Sequence, residues 1–213
     1  MKPLFLELFA GSCTMSKAAR DHGFEVISSD LEPFPGVDLV CDVLNFDCAA
    51  IEKPVSVLWA SPPCTSFSVA SIGHHWTGGH RAYIPKTEGA KKGMAILEKT
   101  LEIIEELKPD IFFIENPRGL MRKMPALQHL KRHTVTYCQY GDRRMKPTDI
   151  WTNSQTWEPR PMCKNGDSCH EAAPRGSRTG TQGLKNNFER SKIPVELCLE
   201  IVTTAKKELQ CKK

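Results

Sequence analysis

Short apolar runs alternate with stretches of helical period along the first half of the chain. "PLFLELF" (3–9), "FEVISSD" (24–30), "VDLV" (37–40), "VSVLWA" (55–60) and "DIFFIEN" (110–116) read as strands. "CTMSKAARDHG" (13–23) reads as a helix that Gly23 ends just past its last turn. "EGAKKGMAILEKTLEIIEEL" (88–107) is the clearest helix. Ala90, Met94, Leu97, Leu101 and Ile104 recur at steps of three and four and give one apolar face, and Lys108-Pro109 closes it. Strands that are apolar almost throughout predict a parallel sheet covered on both faces. Their alternation with helices predicts an α/β fold, a Rossmann-like, doubly wound, mostly parallel sheet.

The second half is less regular. "HTVTYCQYGD" (133–142) and "TDIWTN" (148–153) look like strands around a basic turn. Residues 154–190 lack periodicity and are rich in Pro, Gly, Asn, Arg and Lys. A last helix is predicted from near Ser191, with Pro194 in its first turn, through "VELCLEIVTTAKKEL". There is no internal repeat and no linker that asks for a second full domain.

Bulk properties narrow the class. At 213 residues the chain can bury one substantial α/β core. No leading apolar segment and no run long enough for a bilayer is present, so a soluble, non-secreted protein of a cytoplasm (the host cell's, if viral) is expected. Nine cysteines without a paired framework read as free thiols in a reducing compartment. A net charge of +4 permits a polyanionic partner without demanding one.

Candidate chemistry falls at the strand ends. Gly11 in "ELFAGSCTMS" sits between the first strand and the first helix, where backbone can approach a ligand; by itself it is equally an ordinary turn. Asp30 closes the second strand about twenty residues on, a position from which an acid accepts ribose hydroxyls. Asp42 closes the third. Taken singly, each acid reads as a cap or turn residue; together the three describe a nucleoside cofactor lying along the strand ends. Cys64 follows the fourth strand in "SPPCTSFS". Pro62 and Pro63 stiffen that turn, and a thiol there can be held as a partly ionised nucleophile rather than as core filler. Glu115 ends the next strand in "FFIENPRG". Its apolar flank predicts a raised pKa, suited to sharing a proton with a ring nitrogen, against the plainer role of a cap or salt-bridge partner.

"LFAG" (8–11), "PPCTSFS" (62–68), "ENP" (115–117) and their order resemble the cytosine-C5 DNA methyltransferases, and "RSKIPVELCLEIV" (190–202) is similar to that family's last motif. The resemblance implies a class I S-adenosylmethionine-dependent methyltransferase. Its catalytic, cofactor-binding domain would span 1–153, and 154–190 would be a reduced target-recognition region. The helix of 191–213 would pack back on the domain. Phe9, Ala10, Gly11, Ser12, Asp30, Leu31, Asp42, Val43 and Pro63 would bind S-adenosylmethionine. Cys64 would add to C6 of a cytosine taken out of its stack, and Glu115 would hold N3 and the exocyclic amine. Three departures stand out: Thr65 and Pro117 replace the family's glutamine and valine, and "YGDRRMKPTDIW" (140–151) replaces its Gln-Arg-x-Arg. Arg143, Arg144 and Lys146 are the candidates for the missing arginine, with Arg144 favoured. The implied partner is DNA, duplex or single-stranded, bound by a monomer. An RNA substrate, an amino-methyltransferase and a degenerate nucleic-acid binder are the alternatives. Cys64 in place of an aromatic disfavours the second, and retention of Cys64, Glu115, Asp30 and Asp42 together disfavours the third.

Two further stretches carry expectations. Residues 65–87 hold His74, His75, Trp76, His80, Arg81, Tyr83 and Lys86 among glycines and read as a lid suited to a nucleic-acid strand, or as a plain surface loop. "MCKNGDSCHEAAPRG" (162–176) brings Cys163, Cys169 and His170 close together. With Cys138 they read as a zinc site or as free thiols beside a surface histidine. Nearby Arg175, Arg178, Lys185 and Arg190 make a phosphate-contacting surface or a solvated charge cluster.

Overall fold

The computed structural model describes residues 2–79, 82–172, 184 and 186–211. His80, Arg81, Arg175, Arg178 and Lys185 lie outside the described residues. In chain order, β1 (Leu4–Leu8), α1 (Thr14–Asp21), β2 (Glu25–Asp30), β3 (Leu39–Val40) and β4 (Val55–Ala60) come first. A one-turn α2 (Ile72–His75) and a small hairpin, β5 (Trp76–Thr77) with β6 (Ile84–Pro85), lead to the long α3 (Glu88–Leu107) and β7 (Ile111–Pro117). Then follow β8 (Lys131–Thr136), β9 (Pro147–Thr152), α4 (Asn187–Ser191) and α5 (Val195–Cys211).

Seven strands form one sheet in the order β3-β2-β1-β4-β7-β9-β8. The first five run parallel, and β9 runs antiparallel to both β7 and the edge strand β8. From β1 the chain winds outward to β2 and β3, then returns to build β4 and β7 on the other side. The carboxyl ends of β1 and β4 therefore flank the point where strand order reverses, the usual ligand crevice of such sheets. Alternate strand residues feed two cores. Phe5, Val57, Trp59 and Phe113 pack with α1 and α5, while Leu6, Leu8, Leu58 and Ile114 pack with α3. Both faces being covered is why the strands read as apolar runs.

The structure refines three predicted elements. The inward line of α3 is Ala90, Gly93, Leu97, Thr100 and Ile103, so the apolar stripe read from sequence is rotated, with Met94, Leu101 and Ile104 at its margin. Gly93 sits in that line because a Cβ there would overlap Ser66 Oγ and come within 3.3 Å of Phe67. The strand expected over 133–142 stops at Thr136. The Tyr137 amide bonds Met145 O at 3.0 Å, and a turn over Tyr137–Tyr140 ends at Gly141 with φ +82. The last helix begins at Val195 rather than near Ser191. Pro194 lies just ahead of it, its carbonyl accepting Cys198 N at 3.1 Å, and Ser191 closes α4 instead. A proline has no N–H with which to continue α4 and drives the residue before it out of helical geometry.

Candidate active site

The glycine turn between β1 and α1 is tightly wound: Phe9, Gly11 and Cys13 all have positive φ, at 62, 50 and 53. A Cβ at Gly11 would meet nothing closer than 4.0 Å, so glycine is required there by backbone conformation rather than by space. The Gly11 amide donates to Asp30 Oδ2 at 2.9 Å, and Glu32 N donates to Asp30 Oδ1 at 3.0 Å. Each carboxylate oxygen keeps lone pairs for a diol. Leu31, next in the chain, is 55% exposed, and Val40, paired with Asp30 across β2 and β3, is equally uncovered. Asp42 caps the following turn through Leu44 N at 3.1 Å, and Val43 is buried below it. Ala10 is buried, and Ser12 Oγ bonds Thr14 Oγ1 at 2.9 Å. Oriented acid, left-handed backbone and uncovered apolar side chains fit a nucleoside such as that of S-adenosylmethionine.

Sequence reasoning passed over Glu7. Cys13, ahead of α1, offers no side-chain cap. Glu7 reaches over from β1 instead, its Oε2 accepting Ser16 N at 2.8 Å and the Ser16 hydroxyl. A buried carboxyl thus satisfies the first turn of α1 beneath the glycine turn. The signal was one acid inside an apolar strand.

Cys64 lies at the carboxyl end of β4, half-buried, leading a tight turn over Thr65–Phe67; Pro63 and Thr65 on either side are exposed. The turn is anchored on all sides. Asn116 Nδ2 donates to Pro62 O at 2.8 Å, Phe67 N to Cys64 O at 3.0 Å, and Trp76 Nε1 to Ser66 O at 2.7 Å. Phe67 is buried against Trp76 with ring centroids 5.4 Å apart. Gly93 and Gly119 make room for it, since a Cβ at Gly119 would overlap Phe67 O.

Glu115 lies near the carboxyl end of β7, paired with Ile150 of β9. It is buried, and Oε1 accepts the Tyr137 hydroxyl at 2.9 Å. Burial pushes its carboxyl above the usual range, while Lys146, Tyr137 and Ser61 draw it back. Burial and then the charge of Glu115 push the Cys64 thiol up, with Lys146 and Arg190 opposing. Sequence reading expects a partly ionised thiol there; desolvation and the neighbouring Glu115 act against that ionisation, and Lys146 and Arg190 act for it.

The basic turn divides its cations. Arg144 is buried, and its guanidinium binds Asp142 (Nε–Oδ1 2.9 Å) and the carbonyls of Glu189 and Arg190 at 3.4 and 3.2 Å. It ties the turn to α4. Lys146, 7% exposed, stands 4.5 Å over the Tyr137 ring and donates to Arg190 O at 3.0 Å. Burial lowers its pKa, and Glu115 and Cys64 both raise it. Lys146, rather than Arg144, is the cation of this turn that lies near enough to affect both Cys64 and Glu115. Arg143 is exposed and 3.8 Å from Glu171.

In the segment read as a lid, Trp76 is buried as the loop's own core, His75 Nδ1 bonds Thr87 Oγ1 at 2.7 Å, and Lys86 Nζ donates to Gly73 O at 2.7 Å. Cys138, which follows Tyr137 in the chain, comes together with Cys163, Cys169 and His170.

A family model of C-5 cytosine-specific DNA methylases matches residues 39–134, the span that carries Asp42, Cys64 and Glu115. The "Probable DNA (cytosine-5)-methyltransferase" of Frog virus 3 (isolate Goorha) is 33% identical over 214 residues, covering 92% of this chain and 97% of the viral protein. The chain belongs to the C-5 cytosine-specific DNA methylases. Solved structures share its fold. The Entamoeba histolytica methyltransferase EhMeth aligns with a TM-score of 0.52 and 13% identity, covering 75% of this chain and 56% of that one. The S. pombe Dnmt2 methyltransferase aligns with a TM-score of 0.50 and 12% identity, covering 75% and 53%. This chain therefore spans little more than half the length of those methyltransferases. No helix among the described residues is long and apolar enough to cross a membrane.

Proposed function

We infer that the protein transfers a methyl group from S-adenosylmethionine to C5 of cytosine in DNA. The observation that carries this is the convergence of Cys64, Glu115 and Lys146 at the carboxyl ends of β4 and β7, beside the Gly11–Asp30 crevice. S-adenosylmethionine, bound against Gly11, Asp30 and Leu31, supplies a methyl group made electrophilic by its positively charged sulfur. Cytosine C5 is too weak a nucleophile to take it unaided. Cys64 Sγ, its proton passing to water in the open crevice, adds to C6. Glu115, whose affinity for a proton is raised by burial, shares a hydrogen bond with N3, so the ring does not accumulate negative charge as the C6–S bond forms. C5 is then enamine-like and takes the methyl group. Loss of the C5 proton to a base in the crevice and departure of Cys64 restore the ring. Lys146 stabilises the two acids whenever both are ionised, a part that supports assigning it the missing arginine's electrostatic role. Arg144 acts on the same wall through Asp142 and α4.

The target base must leave its stack to reach Cys64, whether from duplex or single-stranded DNA. All nine thiols are unpaired, in keeping with a reducing cytoplasm, and the protein is read as working as a monomer. A DNA substrate carrying 5-fluorocytosine tests the mechanism, because fluorine at C5 cannot leave as a proton does. The expected result is a denaturation-stable protein–DNA adduct at Cys64 that forms only with S-adenosylmethionine and is lost in Cys64→Ser. Nucleoside mass spectrometry showing undiminished 5-methylcytosine from Cys64→Ser overturns the assignment. Methylation of tRNA but not of DNA moves the substrate to RNA.

A further inference from the structure

We propose that Cys138, Cys163, Cys169 and His170 bind a zinc ion that clips the segment following β9 to the wall of the active site. One donor atom from each residue lies within 4.8 Å of all the others. Cys138 and Cys163 Sγ are 3.0 Å apart, Cys169 and Cys138 Sγ 3.6 Å, and His170 Nδ1 is 3.8 Å from Cys163 Sγ and 3.6 Å from Cys169 Sγ. Zinc at about 2.3 Å from sulfur and about 2.1 Å from nitrogen places tetrahedral ligands roughly 3.5–3.8 Å from one another. Small adjustments of these side chains meet that requirement. Three thiolates and one imidazole form a closed, soft donor set that suits zinc over calcium or magnesium.

The surroundings argue in the same direction. Thr136 Oγ1 accepts the Cys163 amide at 3.0 Å, and Gln139 Nε2 donates to Cys169 Sγ at 3.4 Å, so neighbouring groups already orient the ligands. From Pro161 to Ala172 the only buried residue is Cys163, and no helix or strand forms there. Ordering a dozen or so such residues costs on the order of 1 kcal/mol each in backbone entropy. A stretch without apolar burial needs another source of order, and a metal in a closed site supplies it. Cys138 directly follows Tyr137, whose hydroxyl bonds Glu115, and Glu171 N donates to Arg143 O at 2.9 Å next to Arg144. The clip therefore holds the wall that carries Tyr137, Arg144 and Lys146. Zinc binding releases the three thiol protons to solvent and changes no oxidation state.

The full chain, purified with reductant and without chelator, is expected to hold stoichiometric zinc by elemental mass spectrometry. Exchange for Co²⁺ should give thiolate-to-cobalt charge-transfer bands and intense visible bands of tetrahedral geometry. Cys163→Ser and Cys169→Ala should each drop the metal to background, and Cys211→Ser should retain it. Cys169 is exposed, so its variant reads the loss in a folded protein even if Cys163→Ser fails to fold. Chelation should speed amide exchange over residues 136–141 and 159–172 while β1 and β4 stay protected. Wild-type protein that retains no more zinc than Cys169→Ala after exposure to Zn²⁺ alone overturns the site. So does full alkylation of Cys138, Cys163 and Cys169 in native protein with Zn²⁺ present. Unchanged exchange on metal loss overturns the clip.

Discussion

Replacing Glu7 with Gln should change how stability depends on pH. Glu7 is buried between β1 and α1, and burial drives its carboxyl up to about 7 from an ordinary 4.5, against the two bonds from Ser16. A group whose folded pKa is raised favours the folded state fully below its unfolded pKa, and that contribution is lost as pH rises through the folded value. The difference corresponds to about 3 kcal/mol, most of it surrendered between about pH 5 and about pH 8. Glu7→Gln keeps an oxygen to accept from Ser16 but cannot titrate, so it carries only a pH-independent offset. Urea unfolding in reductant, followed by the four tryptophans, gives the free energy at each pH. Wild type minus Glu7→Gln should fall by about 3 kcal/mol across that window and level off above it. Ser16→Ala removes a donor that favours the charged form and should move the fall to higher pH. Parallel profiles for wild type and Glu7→Gln, or a shift to lower pH in Ser16→Ala, would refute the reasoning.

Three other outcomes test the site's supports. Lys146 draws down the pKa of both Cys64 and Glu115, so Lys146→Met should shift both limbs of the pH–rate profile upward and lower turnover about 100-fold, while Lys146→Arg keeps most of it. Gly93→Ala and Gly119→Ala each crowd the turn that follows Cys64; overpacking of about 1–3 kcal/mol should appear as reduced methyl transfer with S-adenosylmethionine binding unchanged by calorimetry. Arg122 Nε binds Asp149 Oδ2 at 2.8 Å inside the β8–β9 wall, so Arg122→Met leaves a buried charge unpaired and should cost about 3–5 kcal/mol in urea unfolding.

β1, α1, β2, β4, α3 and β7 were legible because each buries apolar residues at its own period, whereas the short α2, β5 and β6 inside the stretch read as a lid carried no such pattern. Less legible was what depends on tertiary approach. The inward face of α3 turned because Gly93 admits the Cys64 turn, and glycine scores as no hydrophobe. Trp76 reads as a stacking platform, yet it fills the space beneath its own loop, and only its bond to Ser66 O reveals that. The choice among Arg143, Arg144 and Lys146 could not be read from composition, since all three are basic. The turn directs Arg144 to Asp142 and lays Lys146 across Tyr137, contacts that favour Lys146 for the part.

A nucleophile held as a thiol is consistent with how this site is charged. Cys64 is half-exposed, and a standing thiolate there would be open to oxidation. Burial and the charge of Glu115 oppose that ionisation, while Lys146 and Arg190 favour it. With Cys64 and Glu115 both ionised, they and Lys146 together still carry a net negative charge, and Arg190 is the other cation acting on the thiol. A cytosine that takes the proton of Glu115 on N3 brings a compensating positive charge to the carboxylate, and Lys146 is then left to favour the thiolate. Attack by Cys64 is in this way coupled to correct seating of N3 against Glu115. On the proposed function, a base that presents no acceptor at N3 would gain nothing from the arrangement, so discrimination for cytosine and activation of the cysteine would arise from the same charge balance.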